Sequence, residues 1–142
     1  MEKILAATDG SRSANRAVIA AAQLAKATGA ELCILTVGDG YSSQDLKQLI
    51  ESERDVGEVL ELLANEVLDH AKKRALRAGA TKIKVRSGWG DAAKVIIDTA
   101  RRENADIIAV GRRGRGRIAG LLLGSVSQKI ANLAPCIAMI VP

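Results

Sequence analysis

Aromatic side chains are almost absent from this sequence of 142 residues, which has one tryptophan, Trp89, one tyrosine, Tyr41, and no phenylalanine. The core must therefore be built from Ile, Val, Leu and Ala, which suits a sheet covered closely by helices. Few aromatic surfaces remain on which nucleic-acid bases could stack. This scarcity argues against an RNA-binding domain that uses an aromatic sheet surface.

Cysteine, proline and histidine are also scarce, with two, two and one of each. Cys33 and Cys136 each lie in an apolar run, where a free thiol behaves as a small hydrophobic group, and this fits a reducing compartment. His70, the single histidine, lies among charged residues of a predicted helix. Without a second histidine there is little basis for a metal cluster, and no G-x-S-x-G motif indicates a serine hydrolase.

Long hydrophobic runs are missing. No uncharged run approaches the roughly 20 residues that a membrane-spanning helix needs. The opening apolar stretch stops at Asp9, shorter than the apolar region of about 7 to 15 residues in a secretory signal. We therefore expect a cytoplasmic protein, and the length predicts a single domain over residues 1–142 with its own core.

Acidic residues do not occur in residues 107–142, although this segment has five basic residues. The rest of the chain has equal numbers of acidic and basic residues, so this segment carries the whole formal net charge of +5. Four of its five charges lie in GRRGRGR, residues 111–117. Arginines interrupted by glycines indicate a compact anion site, and a solvated basic loop is the alternative.

Short apolar runs alternate with longer amphipathic ones, which predicts a parallel sheet with crossover helices. The first helix is expected to follow an N-cap at Ser13 and to end at Gly29. A loop is predicted over residues 38–43, and the second predicted helix has a candidate break near Asp55. Predicted strands cover residues 3–8, 31–37, 82–86, 106–110 and 137–141, and predicted helices reach residue 28 and cover residues 44–78, 91–103 and 125–133. In such sheets ligands bind beyond the carboxyl ends of the strands, where the winding reverses.

The loop after the fourth predicted strand has the most specific pattern. Gly111 and Gly114 are followed, after nine intervening residues, by Gly124 and Ser125 at the start of the last helix. Glycines let the backbone approach a ligand, and the helix N-terminus with the serine hydroxyl offers donors to an anion such as a triphosphate. The segment is not a Walker site, because Arg117 stands where lysine is required. A dinucleotide site is also disfavoured, because no acidic residue follows to bind a ribose.

This spacing fits the motif G-x2-G-x9-G-[S/T], and the chain resembles the universal stress proteins, whose nucleotide-binding members carry it. The resemblance also includes the first strand ending in Asp9 and the apolar last strand, and so runs over essentially the whole chain. It implies a doubly wound, Rossmann-like α/β sheet of order 3-2-1-4-5 with helices on both faces. It also implies bound ATP, or AMP or ADP, with Mg²⁺ or Mn²⁺.

The resemblance assigns roles to individual residues. Asp9 would face the ribose or a phosphate-bound metal ion, although a local turn role is the alternative for this carboxylate. By their charge, Arg112, Arg113 and Arg115 could each neutralise phosphates, and one of them, Arg112, is expected to contact the ligand. Thr8 and Val37 would flank the adenine, and Gly111, Gly114, Gly124, Ser125 and Val126 would hold phosphates and ribose. Trp89 stays outside this site, with packing or a lid contact as its expected role.

The expected function is a nucleotide-dependent regulatory module in the stress response. ATP hydrolysis should be slow at most, because no residue is an obvious water-orienting base. The alternatives are an adenine-nucleotide enzyme, whose His-x-Gly-His or Ser-Gly-Gly-x-Asp-Ser signatures are missing, and a nucleic-acid binder using the arginine loop. The strand Ile137 to Val141 would lie at the sheet edge without a charge to block pairing, which predicts a homodimer.

Overall fold

A computed structural model describes residues 1–38, 56–113 and 123–142. All five strands of the described part are parallel, in the order β3-β2-β1-β4-β5. The winding reverses between β1 and β4, which confirms the predicted doubly wound sheet. The elements are β1 (Lys3–Ala7), α1 (Arg12–Thr28), β2 (Glu31–Gly38), α2 (Val56–Arg77), β3 (Ile83–Trp89), α3 (Ala92–Glu103), β4 (Ile107–Gly111), α4 (Ser125–Leu133) and β5 (Ile137–Val141).

The core lies in two layers, one on each face of the sheet. Helices α1 and α2 pack against one face, whereas α3 and α4 pack against the other. Alternate residues of one strand enter different layers: Ile4 and Ala6 pack with α1 and α2, and Leu5 packs with α3. Central strands buried on both faces read as continuous apolar runs, as this sequence does.

The start of α1 differs from the prediction. Ser11, not Ser13, is the N-cap: its backbone is extended and its hydroxyl accepts a hydrogen bond from the Ala14 N–H at 3.3 Å. Ser13 lies inside the helix, where its hydroxyl is used in a long-range contact described below. Gly29 ends the helix in the left-handed conformation (φ 77°), as predicted.

The other boundaries shift by a few residues. β3 was predicted to end at Arg86 but continues to Trp89, because its pairing with β2 extends as far as Gly38. Asp91 is the N-cap of α3 and accepts from the Lys94 N–H at 3.0 Å. The first part of the predicted helix 44–78, including the candidate break near Asp55, lies outside the described residues. No helix within the described ranges is long and apolar enough to cross a membrane.

Candidate functional site

The site is formed where β1 and β4 end, at the point where the winding of the sheet reverses. Thr8 follows β1 and is buried, and its N–H donates to the Leu35 carbonyl at 2.8 Å. Next to it, Asp9 is half-buried, and its Oδ1 accepts from the Ser11 N–H at 2.9 Å. Asp9 therefore has the local turn role that was the alternative for it. Its carboxylate also lies at the carboxyl ends of the strands, where the ligand is expected.

The end of β4 lies directly on the first turn of α1. A Cβ added to Gly111 would be 2.6 Å from the Ser13 Oγ and 2.7 Å from the Ala14 nitrogen. Contacts of this kind leave no room for a side chain. Glycine at this position lets the chain enter the loop while remaining packed on α1.

The backbone of Arg112 connects the loop entrance to two other elements. Its N–H donates to the Val141 carbonyl of β5 at 2.6 Å. Its carbonyl accepts from the Gly124 N–H at 2.8 Å and from the Ser127 hydroxyl at 2.7 Å. These bonds bring both ends of the glycine motif together. The Arg112 side chain is exposed, and Gly114 lies outside the described residues.

The N-terminus of α4 faces this junction. Gly124 is its N-cap in an extended conformation, and the first intrahelical bond runs from the Gln128 N–H to the Gly124 carbonyl at 3.0 Å. In the described part of the chain, no side chain caps this helix start. Ser125 is exposed, and Val126 packs partly into the core layer of α3 and α4. The first-turn N–H groups and the helix dipole suit this end to an anion.

The ends of β2 and β3 lie on the other side of β1. Val37 is half-buried and is paired in register with Gly88, while Gly38 is paired with Trp89. The Trp89 indole lies so close to Gly38 that an added Cβ would collide with the ring. Trp89 is still 48% exposed. Packing against Gly38 is thus one role of Trp89, and Val37 lies one strand nearer to Asp9.

The described residues supply few metal ligands. No group of three or more His, Cys, Asp or Glu within residues 1–38, 56–113 and 123–142 could hold a metal ion. A cation at Asp9 would therefore need most of its ligands from phosphate oxygens and water, which is how Mg²⁺ is commonly bound. His70 is exposed on α2, in agreement with its expected solvated position.

Two contacts of this site were missed from the sequence. Ser13 was assigned to a helix cap, although its hydroxyl donates to the Val141 carbonyl at 2.9 Å. The bond between Ser127 and Arg112 was also missed. Hydrogen bonds between residues far apart in the chain leave no local spacing that a sequence pattern could reveal.

The parallel sheet and the helix that starts where its winding reverses define a class of protein, the doubly wound Rossmann-like α/β domains. A comparison with family models is more specific, because the universal stress protein family model matches residues 1–142. The chain belongs to the universal stress protein family.

Individual relatives match along nearly their whole length. Universal stress protein YxiE of Bacillus subtilis is 32% identical over 145 residues, covering 98% of this chain and 97% of the relative. Universal stress protein Rv1636 of Mycobacterium tuberculosis is 36% identical over 143 residues, covering 97% and 94%. Among solved structures, a universal stress protein in complex with cAMP has a TM-score of 0.79 and 31% identity, covering 99% of this chain and 97% of that chain.

Proposed function

We propose that this protein is an ATP-binding regulatory module of the cytoplasm, acting in the stress response through a nucleotide-dependent change in its shape or contacts. The observation that carries the proposal is the start of α4, which lacks a side-chain cap among the described residues and is held beside the end of β4 by Arg112. The similarity to a universal stress protein crystallised with cAMP supports an adenine nucleotide as the ligand.

The proposed nucleotide lies across the carboxyl ends of the strands, from the start of α4 to the end of β2. The phosphates lie at Gly111, Gly114, Gly124 and Ser125, with the exposed Arg112 guanidinium close to their charge. The ribose lies toward Val126 and Asp9, and the adenine lies between Thr8 and Val37. Because this arrangement includes no lysine in a Walker position and no evident base, binding is the proposed activity and hydrolysis is slow at most.

Calorimetric titration with Mg-ATP tests the phosphate site, using the variant Ser125→Asp. A carboxylate at the first position of α4 interacts favourably with the helix dipole, so the variant should keep its fold while repelling phosphate. We expect one ATP per chain in the wild type and an affinity at least about tenfold lower in Ser125→Asp, equivalent to about 1.4 kcal/mol.

Asn132→Asp is the matched control, because it adds the same charge to the exposed last turn of α4, roughly 10 Å from Ser125. Its affinity for ATP should stay within about twofold of the wild type. Absence of binding to the wild type at millimolar ATP would contradict the proposed function. An equal loss of affinity in both variants would contradict the placement of the phosphates at the start of α4.

A metal ion, Mg²⁺ or Mn²⁺, is proposed to accompany the phosphates at Asp9. Asp9→Asn tests this role, because the amide oxygen can still accept the hydrogen bond from the Ser11 N–H that the carboxylate accepts now. The wild type should bind ATP more tightly with Mg²⁺ than with a chelator, and the variant should lose most of this difference. An unchanged difference would show that Asp9 is not a ligand.

We also infer a homodimer that pairs through β5, which lies at one end of the sheet order. The Ile137 N–H donates to the backbone carbonyl of Asp106, the residue just before the neighbouring strand β4. In a regular parallel pairing the N–H of Ala138 therefore points to the outer edge. Ile137 has an exposed side chain at the same edge. Light scattering should give a dimer mass for the wild type and a monomer mass for Ala138→Pro.

Ile137→Lys is a second variant that does not depend on a proline in the strand. Its site is 60% exposed, so the fold should tolerate the charge while the apolar edge is lost. A monomeric wild type at micromolar concentration would contradict the dimer. Dimers that survive in both variants would contradict pairing through β5.

A further inference from the structure

The Ser13 hydroxyl connects three segments of the chain at the edge of the site. Ser13 is only 8% exposed, and its Oγ donates to the Val141 carbonyl at 2.9 Å. The same oxygen accepts from the Arg113 N–H over a longer distance of 3.4 Å. Gly111 packs against it from β4. One buried hydroxyl thus links α1, the end of β5 and the start of the loop that follows β4.

Val141 completes this link from the other side. Its carbonyl accepts from Ser13 and also from the Arg112 N–H at 2.6 Å. Two consecutive backbone N–H groups of the loop entrance, those of Arg112 and Arg113, are therefore held by the pair Ser13 and Val141. A binding segment that is already held in place loses less conformational entropy when a ligand binds.

We propose that Ser13 is a positioning residue of the anion site, which acts through Arg112 and Arg113 without touching the ligand. The proposal rests on the proposed function, because it concerns the loop that would bind the nucleotide phosphates. Its ligand class is any polyphosphate that this loop can reach, with or without a nucleoside.

Ser13→Ala tests the role directly. The Val141 carbonyl keeps its bond from Arg112, so the variant leaves no buried acceptor without a donor at that position. The variant loses both bonds of the Ser13 hydroxyl, the one to Val141 and the longer one from Arg113. The dissociation constants for ATP and for inorganic tripolyphosphate should both rise by about five- to tenfold, within the range expected for losing one or two hydrogen bonds. The two dissociation constants should rise by the same factor, because the loop entrance is proposed to act on the phosphates only, which both ligands have.

Thr99→Val is the matched control for the loss of a buried hydroxyl. Thr99 is 3% exposed on α3, and its hydroxyl donates to the Val95 carbonyl at 2.7 Å, away from the loop. Its melting temperature should fall to a similar extent as that of Ser13→Ala, while its dissociation constants for ATP and tripolyphosphate stay at the wild-type values.

The outcomes separate this inference from the proposed function. Wild-type protein that binds neither ATP nor tripolyphosphate overturns both. Wild-type protein that binds ATP while Ser13→Ala binds it equally well overturns only the positioning role. Equal losses of affinity in Ser13→Ala and Thr99→Val also overturn it, since general destabilisation would then explain the effect.

Discussion

Gly111 contacts Ser13 so closely that a Cβ built on Gly111 would lie 2.6 Å from the Ser13 hydroxyl oxygen. Its backbone is not among the positive-φ positions of the described chain, which include Gly10, Gly29, Gly79 and Gly90. The first glycine of the motif is therefore required for space and not for an unusual backbone conformation. Packing between β4 and α1 accounts for it even before a ligand is considered.

Gly111→Ala should destabilise the protein by about 1–3 kcal/mol, because the new methyl group has to displace the backbone of α1. Urea unfolding measures this loss. Gly57→Ala is the control, since Gly57 is exposed in helix α2 and alanine there should leave the stability unchanged or slightly higher. Equal stability of Gly111→Ala and the wild type would show that the helix yields at no cost.

The parallel strands and the helix that begins at Ser125 could be predicted from the sequence because both depend on regular patterns. Alternating apolar segments predict parallel strands, and the glycine spacing places Gly124 and Ser125 at the start of a helix. The structure has this helix at Ser125–Leu133, the same bounds as predicted. Local spacing was sufficient because the helix start and the motif are neighbours in the chain.

Features that depend on distant contacts did not follow. Ser11 and Ser13 are equally suitable as N-caps by residue type, and the choice depends on Val141, which accepts the Ser13 hydroxyl bond across 128 residues of chain. The end of β3 depends likewise on its pairing with β2, in which Trp89 lies opposite Gly38. The partner of each group is known only once the sheet has formed.

The contact between Trp89 and Gly38 predicts a spectroscopic change. Gly38→Ala should push the indole away, because the added Cβ would collide with the ring. Trp89 is the only tryptophan, so its emission reports this site alone, and it should move to longer wavelength as the ring becomes more exposed. Gly57→Ala should leave the spectrum unchanged. An identical spectrum for Gly38→Ala would contradict the packing.

The two thiols should differ in reactivity. Burial raises the pKa of Cys33, with a further contribution from the nearby Glu103 carboxylate, and burial also raises the pKa of Cys136. Cys33 is 5% exposed whereas Cys136 is half-buried, so Cys136 should react first with an alkylating reagent near pH 8. Mass spectrometry after timed quenching identifies the modified residue.

Unfolding in urea is the control for this comparison, because both thiols should then react at similar rates. Cys136→Ser provides a second check: the folded variant should react much more slowly than the wild type. Faster alkylation of Cys33 than of Cys136 in the folded wild type would show that β2 is more accessible than its burial indicates.

Asp106 should make the stability depend on pH in the acid range. Its carboxylate accepts from the Glu2 N–H at 2.7 Å and the Lys3 N–H at 3.0 Å, and these bonds lower its pKa below the ordinary value of 3.8. A carboxyl group whose pKa is lower in the folded state stabilises the fold above its unfolded pKa. That contribution is lost as the pH falls through the lower, folded pKa.

Urea unfolding from about pH 6 to about pH 2 tests this dependence by comparing the wild type with Asp106→Asn. The stability advantage of the wild type should be constant above about pH 5 and should shrink below about pH 4. Parallel profiles for the two proteins would mean that the bonds from Glu2 and Lys3 do not favour the ionised form.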